Sequence, residues 1–200
     1  MLLLYLTVLT TRLLLPPDRP VQGDCAADVC QSSEPKICIG FPLGKATRGL
    51  NPQILCVTRH HLRLDEIKSI YLGQYILGTY FCRSIYKQGG VPIFVSKNIR
   101  FQEIDLNRYV KEKDFEICTL KLQIASINFI IICLYRSPTG NYIYFLNQLE
   151  SVLNKLYRVS TNIILCGDFN INFIETTSRI TLLESLTASF SLFGTIKVSH

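Results

Sequence analysis

The segment INFIIICLY, residues 127–135, is apolar almost throughout. Such a run reads as a strand inside a sheet, because only a strand covered on both faces tolerates apolar side chains in both directions. The rest of the chain must then supply its neighbours and the layers that cover it. FEICTLKL (115–122) alternates apolar and polar residues, as a half-buried strand does, and the short gap QIAS makes the two an antiparallel hairpin. ILCVT (54–58) and NIILC (162–166) are further short apolar runs of strand type. YILGTYF (75–81) and VPIFVS (91–96) flank Gly89-Gly90, a turn signal. Pro92 pushes the second of these towards a sheet edge, since it lacks a backbone donor.

Between the strands the period changes. From Tyr142 to Tyr157, residues Phe145, Leu149, Val152 and Leu156 form one helical stripe, thickened by Leu146 and Leu153, with Asn141 as the N-cap. LRLDEIKSIY (62–71) carries Leu62, Ile67 and Ile70 at roughly helical spacing, and SRITLLESLTASF (178–190) reads as a second amphipathic helix. Strands mixed with helices, without an internal repeat, point to a layered α/β arrangement of sheet covered by helix.

The N-terminal part differs. MLLLYLTVLTTRLLLPPDRP is apolar only as far as Pro16 and contains Arg12. A spanning helix needs about 20 apolar residues, and no positive charge precedes the run as in a signal peptide. Residues 16–53 are rich in Pro, Gly, Ser and charge. The expected organisation is an unrelated, poorly ordered leader over 1–49 and a domain over 50–200. With 200 residues and 48% hydrophobic content the chain can bury one ordinary core. Its net charge of +6 suits an anionic partner such as nucleic acid. Cys56, Cys118, Cys133 and Cys166 sit inside apolar runs, where reduced cysteine serves as a small hydrophobe. Cys25, Cys30 and Cys38 lack the paired spacing of a zinc site. An intracellular, reducing location, nucleus or cytoplasm, is favoured over secretion, and no membrane is implied.

Two strand tips carry chemistry. In GDFN (167–170), extended geometry would send Asp168 and Asn170 the same way and Phe169 into the packing. Gly167 lets the backbone turn or approach closely. An acid at a strand tip can bind a hard cation, and a nearby amide can orient water or phosphate; the bland alternative is an Asx turn leaving the strand. In LYRSP (134–138), Tyr135 is a phenol at the tip of the central strand, and Pro138 stops the ladder.

CLYRSPTGN, a helix, and then NIILCGDFNIN resemble the endonuclease/exonuclease/phosphatase superfamily, and within it the endonuclease domain of non-LTR retrotransposons. ILCVTRHHL, YFCRSIYKQGGVPIFV and FEICTLKL fit the same branch. The resemblance covers about residues 50–198. It implies a DNase I-like, four-layered α/β sandwich, here incomplete at both ends, and Mg2+-dependent cleavage of a DNA phosphodiester by an activated water. Asp168 would bind the metal or orient the nucleophile, Asn170 would hold it and a phosphate oxygen, and Tyr135 would stabilise charge on the phosphate.

The sequence departs from the family in three places. Arg59 of VTRHHL stands at the position of the family's metal-binding Glu. An Arg charge about 4 Å from a divalent ion, at an effective dielectric of about 20, repels it by roughly 8 kcal/mol. The family's opening strand, with its Asn, has no counterpart in residues 1–49. The family's closing Ser-Asp-His has none either, for KVSH at His200 does not match it. His60 and His61 adjoin the altered position without being the family's catalytic histidine. The expectation is a partial, retrotransposon-derived domain with weak or no activity. The alternatives are an active metal-dependent DNA endonuclease and a secreted or tethered binding protein without catalysis.

Overall fold

The computed structural model describes residues 36–38 and 53–192, apart from 87, 125, 159–161 and 172–176. Expectations about the leader at 1–15, Cys25, Cys30 and His200 lie outside the described residues. The described chain is a mixed α/β fold of two sheets and three α-helices. In the first sheet the order is β1 (Lys36–Cys38), β2 (Ile54–Thr58), β4 (Val91–Ser96), β3 (Tyr75–Phe81), all antiparallel. In the second it is β5 (Phe101–Glu103), β6 (Glu116–Ile124), β7 (Ile127–Tyr135), β8 (Asn162–Asp168). The apolar run that opened the sequence is thus an interior strand.

β6 and β7 form the expected antiparallel hairpin, whereas β7 and β8 are parallel. A parallel pair needs a crossover, and helix α2 (Tyr142–Leu156) supplies it. Asn141 caps α2, its side chain accepting from the Tyr144 N–H at 2.9 Å. Helix α3 (Ser178–Ser189) follows β8, with Thr177 as its cap.

Each face of each sheet is covered. Alternation sends Cys118, Leu120 and Leu122 of β6 and Ile131, Cys133 and Tyr135 of β7 towards Ile54, Cys56, Ile93 and Val95 of the first sheet. The intervening residues Ile117, Ile130, Ile132 and Leu134 pack against Phe145, Leu149 and Val152 of α2. On the outer face of the first sheet, Val57 and Phe94 pack on Ile67 of helix α1 (Leu64–Ser69). Each such fully buried side chain contributes about 1.5–3 kcal/mol of transfer free energy.

Four local expectations change. Pro92 lies in β4, an interior strand and not an edge. The register with β2 runs only from Val95 to Ile93, so a missing N–H at Pro92 costs that ladder nothing. β6 is half-buried only towards its C-terminal end, where Lys121 and Gln123 are exposed and Leu122 is buried; residues 116–120 are all buried, including Glu116 and Thr119. Helix α1 is six residues long, shorter than the stretch 62–71. Within the segment expected to stand apart, Lys36–Cys38 pairs with β2 as an edge strand. No helix among the described residues is long and apolar enough to cross a membrane.

Candidate active site

β8 runs two residues further than NIILC and ends on Gly167 and Asp168. A side chain at Gly167 could not be accommodated: φ is +141°, and a Cβ would lie 1.9 Å from the Leu134 carbonyl oxygen. The glycine therefore lets β8 close on β7 as far as Asp168. The register then places Tyr135 between Glu116 on β6 and Asp168 on β8. Because directly paired residues share a face, all three project into the slot between the sheets, at one end of it.

The first sheet answers with two arginines. Arg59 follows β2 with φ +60°, a left-handed conformation uncommon for a side-chain-bearing residue, and its N–H donates to the Gly90 carbonyl at 2.8 Å. Its Nη1 lies 4.0 Å from Asp168 Oδ2. Arg83 follows β3, and its Nε donates to Glu116 Oε1 at 2.6 Å, with Nη2 completing an ion pair to the same oxygen. The two guanidinium groups stand 6.0 and 5.5 Å from the centre of the Tyr135 ring, within cation–π range. The end of the slot thus carries two cations, two carboxylates and one phenol.

Glu116 is wholly buried and saturated, since it also accepts from the Gly90 N–H at 2.7 Å and the Lys113 N–H at 2.9 Å. Burial raises its pKa against the pull of Arg83. Burial likewise pushes the Tyr135 phenol above its ordinary value, with Arg59 and Arg83 opposing. At neutral pH Tyr135 is therefore protonated and can donate.

Asn170 departs from the expectation. Its φ of +50° ends the extended chain after Phe169, so the alternation argument stops at Asp168. Its N–H donates to Asp168 Oδ1 at 3.1 Å, the Asx turn of the bland reading, and its Nδ2 donates to the Arg136 carbonyl at 2.5 Å. Phe169 packs as expected, its ring centroid 5.6 Å from that of Phe145. The structure thus sets Tyr135 beside Asp168 and Asn170 two residues on, with the Asn170 amide engaged by backbone.

Arg83, Glu116 and Arg136 were not singled out by the sequence. Glu116 was detectable, because it lies in line with Cys118, Leu120 and Leu122 on the face that is otherwise apolar. Arg83 and Arg136 gave no signal, since their roles depend on strands distant in sequence.

The donor set does not suit Mg2+. Magnesium is held by one or two carboxylates with water completing the octahedron, and of the two carboxylates at this end Glu116 is already engaged by Arg83 and by the Gly90 and Lys113 N–H groups. With Arg59 at 4.0 Å, an ion about 2.1 Å from Asp168 Oδ2 would sit at most about 6 Å from the guanidinium. At an effective dielectric of about 20 the repulsion is roughly 5 kcal/mol. Arg59 thus places a positive charge beside Asp168. Access is limited as well: Arg59, Tyr135 and Asp168 are each less than a tenth exposed. A cleft of about 980 Å³ nearby is lined by Arg63, Glu66, Tyr80, Arg83 and Tyr86, and by none of Arg59, Tyr135, Asp168 or Asn170.

No family model matches the chain, and no curated protein does. Among solved structures it is similar to the endonuclease domain of TRAS1, a telomere-specific non-LTR retrotransposon, with TM-score 0.45 and 14% identity. That match covers 56% of this chain and 52% of the other, so the chain spans about half the length of that structure.

Proposed function

We propose that the chain is a domain of the endonuclease/exonuclease/phosphatase type, of retrotransposon origin, whose site has exchanged metal-dependent DNA cleavage for an internal ion pair. The observation that carries this reading is Arg59 Nη1 at 4.0 Å from Asp168 Oδ2. A cation supplied by the chain itself occupies the surroundings of the one acid that the motifs mark for the metal. The ordered motifs CLYRSPTGN and NIILCGDFNIN support the lineage, as does the row of Glu116, Tyr135 and Asp168 at one end of the sheet slot. Two sheets face to face, with α1 outside one and α2 outside the other, support a four-layered sandwich. The net charge of +6 suits a DNA partner.

In this reading Tyr135 remains a hydrogen-bond donor, and Arg59 and Arg83 hold it and the two carboxylates in place. Hydrolysis lacks a metal-bound water, and restoring one carboxylate does not restore the others, because catalytic groups acting as a unit are strongly non-additive. The experiment is supercoiled plasmid nicking by the purified chain with Mg2+, beside Arg59→Glu and Asp168→Ala. Little or no nicking is expected from all three. Robust nicking by the wild type that disappears in Asp168→Ala would establish an active metal-dependent endonuclease instead.

A further inference from the structure

Away from that end of the slot, the same inter-sheet core gathers sulfur. Cys118, Cys133 and Cys166 stand in one row across β6, β7 and β8, at residues that pair directly. Cys56 projects from β2 of the facing sheet into the same cluster. The sulfurs of Cys56, Cys133 and Cys166 all lie within 4.8 Å of one another. All three residues are buried, Cys133 completely. A cation bound at about 2.3 Å from each sulfur holds them about 3.8 Å apart, so inward shifts of about an ångström would close the set.

We propose that Cys56, Cys133 and Cys166 form a site for a thiophilic closed-shell cation, Zn2+ or Cu+, which ties the two sheets together. Thiolate donors select these ions over hard cations. The three thiols give up three protons to solvent and bind as thiolates, so a bound Zn2+ leaves the site with one net negative charge. Cys118, hydrogen-bonded to Cys133, stands next to the set as a fourth sulfur. Little is lost on the protein side. The thiol of Cys133 donates to the Val57 carbonyl at a long 3.8 Å, and that of Cys166 to the Ile132 carbonyl at 3.4 Å. The hydrogen bond with Cys133, and burial, raise the pKa of Cys56, with Cys166 opposing; those with Cys118 and Cys166, and burial, raise that of Cys133, with Cys56 opposing. Because the sulfurs are covered by both sheets, the ion enters as the sheets close during folding.

The experiment refolds the full chain from denaturant under a thiol reductant in three arms: Zn2+, Cu+, and a chelator. Metal content is then measured after gel filtration. The Zn2+ or the Cu+ arm should retain about one ion per chain, as a structural site does, and should unfold at higher denaturant than the chelator arm. Refolding with Co2+ should give sulfur-to-cobalt charge-transfer absorption. Cys56→Ala and Cys166→Ala should each reduce retained metal at least tenfold, whereas Cys82→Ala, outside the cluster, should keep it. Wild type that retains no metal in either arm overturns the proposal, and this outcome needs no variant to fold. Metal retained equally by Cys56→Ala and wild type overturns it too. So does a count of two fewer than the eight cysteine thiols when the refolded chain, freed of reductant, is titrated in denaturant with chelator, which would mean a disulfide.

Discussion

Arg136 is fully buried, and its guanidinium donates to four carbonyl oxygens: Phe169 at 2.9 Å, Ser137 at 3.0 Å, Gly140 at 2.9 Å and Asn170 at 2.8 Å. One planar fork thereby binds the chain leaving β8 to the loop entering α2. Lysine carries three donors on one point and cannot span these positions. Arg136→Lys is expected to destabilise the fold by about 2–4 kcal/mol, read as a lower urea midpoint; an unchanged midpoint would remove Arg136 from this role. His60 acts at the same scale. Its Nδ1 accepts from the Leu62 N–H and its Nε2 meets the Phe81 carbonyl, both at 3.0 Å, which requires the neutral ring. Burial lowers its pKa from the ordinary 6.5. The unfolded chain then takes up the proton first, so this contribution is whole above pH 6.5 and drains as pH falls towards the lowered folded value. Glu116, raised by burial, has the opposite sign, because the native state is protonated first as pH falls. His60→Asn should therefore flatten the loss of stability just below pH 6.5, and denaturant midpoints across that range measure it. A wild-type slope retained by the variant would assign it to another group.

At the scale of elements, β8 depends on its glycine. The parallel pair β7 and β8 stays in register to Tyr135 and Asp168 because Gly167 presents no Cβ to the Leu134 carbonyl. Gly90 leaves similar room at the same end of the slot, on the first sheet, where a Cβ would lie 2.1 Å from His60 Nε2. Gly167→Ala is expected to cost at least about 3 kcal/mol, since it combines a backbone clash with a left-handed φ. The variant should unfold at a lower temperature and expose amides of β8 to hydrogen exchange. Protection equal to wild type would show that β8 ends before Gly167.

For the molecule as a whole, the layer between the sheets is the shared core, and Leu120 at its centre is completely buried. Leu120→Ala removes the Cγ and both Cδ carbons from the layer between the sheets, with an expected loss of about 2–5 kcal/mol. The chain has no Trp, so tyrosine fluorescence and circular dichroism are the two probes. Their transitions should shift together if both sheets unfold as one unit. Separate transitions would mean that the sheets are independently stable.

Periodicity determined the elements. The apolar run at 127–135 became an interior strand, the stripe from Phe145 to Leu156 became α2, and Asn141 became its cap, because each signal is carried by residues close in sequence. Gly167 and Asp168 were legible as a strand tip for the same reason. The tertiary structure alone decided the partners. Pro92 could sit in an interior strand because a ladder stopped one residue short of it. Glu116 could be buried because Arg83, from another sheet, reached it. Arg59 was readable as a missing acid, but its approach to Asp168 depends on how two sheets pack. The sulfur cluster shows the same division. Each cysteine was legible as buried, yet their convergence required the register of three strands and a fourth from the facing sheet. Local periodicity records which face is covered, whereas the covering residue lies tens of positions away and leaves no trace in the local pattern.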